Sequence, residues 1–192
     1  HCGSGGVPGR EAPAAPSFTN EQGCPALGFS GGINKEGVAI FGSDFMRIGY
    51  LTSQYPATSH TFIRREVEAL RLRGVAIDTF SIRKPDAAEY GSEQDRAAFA
   101  ETYYVLPAAL TRLFAAHLWA ISSRPIAYFS VFGLALKHRA PGFKALVWAL
   151  FHFAESIVLA REFRKRGIEH LHNHFANAGA NVGLLATQFL GM

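Results

Sequence analysis

The chain has 192 residues, of which 48% are hydrophobic and 18% charged, with a formal net charge of +4 and two cysteines. This is a globular composition, long enough to bury a real core, and it carries no interleaved aromatic-basic motif that would make nucleic acid the expected partner. Both cysteines, Cys2 and Cys24, fall before Met46, so the cysteine-free remainder is compatible with a reducing cytoplasm and no disulfide framework builds it.

Residues 1–45 differ from the rest of the chain. They hold ten of the nineteen glycines and four of the nine prolines, and they show no sustained apolar period. They also lack the basic start and apolar core of a secretory signal. The expectation is an irregular, unpacked leader, either a linker or translated sequence ahead of a true start at Met46, since the opening His1 is not an intact translated start. The folded domain is expected at 46–192.

From Met46 the pattern turns regular. Ile48 to Leu51 is a short apolar run, and after a loop holding Pro56 an amphipathic run places Phe62, Ile63, Val67 and Leu70 on one helix face until Gly74 stops it. Val75 to Ile82 reads as a second strand, so the unit is a β-α-β crossover and the sheet should be parallel. Lys84 to Arg96 is polar and loop-like, and Thr102 to Leu106 is a third strand closed by Pro107. Three apolar helical stretches follow, at 108–122, 125–138 and 142–166, separated by Pro125 and the Pro141-Gly142 pair. A spanning helix needs about twenty mostly apolar residues; Lys144, His152 and Glu155 interrupt the best candidate, and spanning is rejected. Trp119, Phe129, Phe132 and Trp148 suit a core stripe, or a helix face dipping into a lipid interface. The fold class is therefore α/β, a Rossmann-like parallel sheet with helices on both faces and a helix-rich insertion.

Basic residues cluster on the first helix (Arg64, Arg65, Arg71, Arg73) and on a later one (Arg161, Arg164, Lys165, Arg166). A solvated face is the simpler reading; an anionic membrane or a phosphorylated substrate is the functional one. After Gly167, His170, His172 and His174 stand at alternate positions, on one face if all are in a strand. Zinc favours such imidazoles, yet neighbours on one strand face are about 7 Å apart, too far for three to reach one ion at about 2 Å. No metal set is assigned on that geometry. In open parallel sheets the ligand lies beyond the carboxyl ends of strands, where Thr52 to Thr61 and Asn173 to Asn177 supply polar groups. Ser59 or Thr61 is expected to cap the first helix, and Gly179, Ala180 and Gly183 give the last helix a small-residue face whose default use is close packing. The chain has no G-x-G-x-x-G, P-loop, G-x-S-x-G or C-x-x-C.

Tyr55, Pro56, Ser59, Thr61, Phe62, Ile63 and Glu66 resemble the first loop and helix of bacterial family 4 glycosyltransferases of the exopolysaccharide or colanic acid type, with His60 where that family has an acidic residue. The run His170-Leu-His-Asn-His-Phe-Ala176 is similar to the same family's strand ending in H-x-H-F-A before a small-residue helix. The resemblance implies the amino-terminal, acceptor-side domain of a GT-B fold. It implies substrate contacts from Tyr55, Ser59, Thr61, His172, His174 and Asn177. It also implies a transferase that moves a sugar from a nucleotide-sugar to a surface polysaccharide or lipid-linked glycan, without a further cofactor, in the cytoplasm and peripherally at the inner face of the plasma membrane. The family's catalytic His and donor-binding Glu residues would lie past Met192, so the nucleotide-sugar partner would be held by a carboxyl-terminal domain, no catalytic residue is assigned, and the fragment alone would be inactive. Two alternatives stay open: a metal-dependent hydrolase built on the His-x-His strand, for which Asp78, Asp86 and Asp95 are the few acidic candidates, and a noncatalytic α/β binding module.

Overall fold

A computed structural model describes residues 31–33, 39–41, 46–86 and 91–192, and the chain divides into two units, His1–Gly42 and Ser43–Met192. In the first unit, β1 (Gly31–Ile33) pairs antiparallel with β2 (Ala39–Phe41). The leader expected to be irregular thus contains one hairpin-like pair; the rest of it lies outside the described residues.

The second unit is a Rossmann-like α/β domain. Its strands are β3 (Ile48–Gln54), β4 (Ile77–Arg83), β5 (Tyr103–Tyr104) and β6 (His170–Asn173), all parallel, in the spatial order β5-β4-β3-β6. The chain steps outward from β3 through β4 to β5, then returns to the other side of β3 to lay down β6. That reversal makes the gap beyond β3 and β6 a topological switch point.

Alternation along the strands divides the side chains between two cores. Tyr50 and Ile77 meet Ile63 and Val67 of α1 (Thr61–Leu72) on one face. Leu51, Phe80 and Ile82 face the other, where α3 (Leu110–Ser123), α4 (Pro125–Lys137), α5 (Phe143–Arg166) and α6 (Ala178–Leu190) bury Ala116, Val131, Phe153, Ile157, Phe163 and Phe189. Helices on both faces are what a parallel sheet requires.

Two elements depart from expectation. The stretch read as loop contains the start of α2 (Glu93–Glu101), launched by Ser92, whose hydroxyl accepts from the Asp95 amide at 3.0 Å. The third strand is two residues rather than five, although the Val105 and Leu106 amides still donate to the Ser81 and Ile82 carbonyls at 2.9 and 2.8 Å. By length and composition α5 can cross a membrane, with a mean hydropathy of 1.5 over its best window, but here Phe153, Ile157, Leu159, Ala160 and Phe163 are 0–5% exposed inside the core. Gly167 ends it in the left-handed region at φ 68°, which a side chain rarely tolerates.

Candidate functional site

The carboxyl ends of β3 and β6 are joined by a small polar knot. Ser53 Oγ donates to Asn177 Oδ1 at 2.7 Å, and the Gly179 amide points at both, 3.0 Å from Asn177 Oδ1 and 3.3 Å from Ser53 Oγ. Asn177 is the N-cap of α6, so this helix begins at the switch point with the positive end of its dipole directed there. Gly179 is required by the closeness: a Cβ there would lie 3.0 Å from Ser53 Oγ and 3.3 Å from its backbone nitrogen.

Beside this knot, on the α1 face, lies a cluster of three titratable rings and a carboxylate. Register pairs Tyr50 with His172, and their ring centroids are 4.7 Å apart. The Tyr50 hydroxyl donates to Glu66 Oε1 at 2.9 Å, reaching from β3 to α1. Burial, reinforced by that carboxylate, pushes the Tyr50 phenol up to about 12. His174 packs edge-on against His172 at 4.5 Å, with its Nε2 3.5 Å from Glu66 Oε2. Burial, and secondarily His172, holds His174 below the usual imidazole range, while Glu66 pulls the other way. The His174 Nε2 is buried without a hydrogen-bond partner. Phe62, Phe175 and His60 roof the cluster: His60 faces Phe175 at 5.0 Å, and its Nδ1 lies 2.9 Å from the Gln54 carbonyl.

The residues expected to touch substrate fare differently. His172, His174 and Asn177 meet at the switch point. Ser59 and Thr61 are exposed and neither caps α1, because a 3-10 turn, Thr58–His60, runs directly into the helix and makes His60 its N-cap with no side-chain bond. Tyr55 is corrected more strongly. It is 2% exposed against Ile63 and Val67, and burial lifts its phenol to about 12, so it is a core residue in this structure. The spacing argument against convergence of the histidines also fails in part. His170 is exposed and stands apart, but β6 ends at Asn173, whose side-chain amide donates to the Phe175 carbonyl at 2.7 Å. The chain turns there, so His174 leaves strand geometry and folds back over His172.

Glu66, His172 and His174 together form the one group among the described residues whose ligand atoms, one from each, all lie within 4.8 Å of one another. Chemically the region offers an oxyanion-directed helix start, imidazoles, and an aromatic wall that suits a sugar ring or other amphipathic face. Tyr50 and Ser53 were not legible as site residues, since a tyrosine in an apolar strand reads as core. Their signal was the pairing of β3 with β6, which the two motifs imply only when laid side by side. Comparison with protein-family models, with curated proteins and with solved structures found no match.

Proposed function

We propose that this chain supplies the acceptor wall of a GT-B glycosyltransferase that builds a surface polysaccharide or lipid-linked glycan. One observation carries the reading. The two segments that resemble the family, over a hundred residues apart in the chain, meet at the switch point, where His60 lies on Phe175 and Ser53 is bonded to Asn177. A parallel sheet uses that position for ligands. In this reading His174 and Asn177 contact the acceptor, the start of α6 faces its phosphate or hydroxyl, and a second Rossmann-like domain holds the nucleotide-sugar. Exposed Phe143, Phe151 and Trp148 on α5, at 81, 56 and 44%, support attachment at a lipid surface where such acceptors reside.

The test is acceptor binding by the chain itself, measured by tryptophan fluorescence or calorimetry with polyprenyl-diphosphate-linked saccharides in detergent. The expected result is saturable binding that His174→Ala weakens at least tenfold, with His170→Ala unchanged. Binding of nucleotide-sugars in place of acceptors, or equal acceptor binding by the His174→Ala chain, would refute it. A metal-dependent hydrolase is the second reading, favoured by the convergence of Glu66, His172 and His174. It alone expects turnover of activated phosphate or acyl esters when Zn2+ is added.

A further inference from the structure

We infer that Glu66, His172 and His174 form a binding site for one zinc-class divalent cation, independent of which reading of the function holds. The three come from three separately fixed pieces of the fold. Glu66 is on α1, His172 is on β6 in register with Tyr50, and His174 is on the turn just past that strand. Their ligand atoms lie within 4.8 Å of one another, and tetrahedral coordination at about 2.0–2.2 Å per bond asks only a small inward adjustment of side chains. Two imidazoles and one carboxylate with a fourth position left to solvent is a zinc donor set.

Three further observations favour a cation over a simple ion pair. The His174 Nε2 is buried and 3.5 Å from Glu66 Oε2, beyond a good hydrogen bond, so it has no partner that a cation would not supply better. The carboxylate is held at Oε1 by the hydroxyl of Tyr50, a residue 5% exposed, which leaves Oε2 facing His174. Outer-shell donors of this kind orient metal ligands, and their loss typically lowers affinity about 10–100-fold. The Tyr50 and Phe62 rings also wall the group, with centroids 5.6 and 5.7 Å from His174, and reduce its exposure to water. Arg64 is already engaged by Glu68 on the same helix and by Asp95 on α2, so its positive charge is satisfied away from Glu66.

The experiment titrates Co2+, then Zn2+, into the untagged full chain carrying Cys2→Ser and Cys24→Ser, so that thiolates do not compete. The expected result is one equivalent of Co2+ with the visible absorption of tetrahedral nitrogen-oxygen coordination, displaced by Zn2+. His172→Ala, His174→Ala and Glu66→Gln should each lower affinity at least tenfold, Tyr50→Phe by about tenfold, and His170→Ala should leave it unchanged. Circular dichroism of each metal-free variant separates misfolding from ligand loss, and Glu66→Gln, on the half-exposed face of α1, preserves an acceptor for Tyr50. If the folded parent binds no Co2+ with that spectrum, or the folded His172→Ala/His174→Ala chain binds as tightly as the parent, the site does not exist.

Discussion

Two glycines show how differently one residue type acts in two helices. A Cβ at Gly183 would come within 2.8 Å of Leu171 Cδ2 and 2.9 Å of Leu51 Cδ2, at the point where α6 lies on the sheet. Leu51 is fully buried and cannot retreat freely, while Leu171 is only partly buried. At Gly133, in the middle of α4, the same atom meets nothing within 4 Å. Gly183→Val is expected to destabilise the domain by about 1–3 kcal/mol, as overpacking of a tight core does. Gly133→Ala is expected to stabilise it by about 0.5–1 kcal/mol through reduced unfolded-chain freedom. Denaturant midpoints for the two variants should move in opposite directions. The small-residue face of α6 was readable from the sequence and its default use, packing, is what Gly183 displays; the hydroxyl expected at the start of α1 was not, because nothing local distinguishes a capping serine from one in a 3-10 turn.

At the scale of elements, α2 and α5 mark the limits of hydrophobic pattern. α2 buries no residue fully, so it carries little apolar periodicity, and its one clear signal was the Ser92 to Asp95 spacing of a capping turn. The reverse holds for α5, whose apolar residues go all round: one side fills the core, while Phe143, Leu150 and Phe151 are 81, 42 and 56% exposed. With Phe114, Leu118, Ile126 and Phe129 on α3 and α4 also more than half exposed, this helical layer offers apolar surface beyond what a lone surface residue explains. Sedimentation with anionic phospholipid vesicles should bring the protein down. Phe143→Ser with Phe151→Ser should release at least half of it without shifting the melting temperature by more than a few degrees; retention equal to the parent would show that these helices do not touch lipid.

For the molecule as a whole, acid is the expected weakness. Burial holds His117 and His152 below the ordinary imidazole range, and Arg83 adds to this at His152. His117 Nδ1 is also 2.9 Å from the Tyr128 hydroxyl and packed on Phe153. A group whose folded value is depressed takes its proton more readily when unfolded, so its contribution is present above about 6.5 and is lost as pH falls through the folded value. Glu155 opposes the trend at lower pH, since burial raises its carboxyl and favours the protonated form in the folded state. The melting temperature should therefore fall between pH 7.5 and 5.5, and His117→Gln should flatten that slope; an unchanged slope would mean that His117 charges as easily in the fold as out of it. The overall architecture was legible because β3 and β4 carry apolar residues at crossover spacing, β6 follows the Gly167 helix stop, and the helices are bounded by Pro and Gly. The site was only half legible, because Tyr50 and Ser53 acquire partners where β6 and the start of α6 come to lie beside β3, and Glu66 acquires its partner from the packing of α1 on β3, none of which a local pattern encodes.

The double character of α5 has a consequence during synthesis. Residues 143–166 leave the ribosome before residues 178–190, whose Val182, Leu185, Ala186 and Phe189 share their core. At about 5–20 residues per second, the nascent chain carries a completed 24-residue helix with one apolar window long enough to cross a membrane for on the order of a second or more before the helix that shields it exists. Insertion machinery recognises segments of that length and apolarity. Translation speed between residues 167 and 190 therefore sets how long α5 waits for the helix that shares its core, without altering one residue of the finished protein.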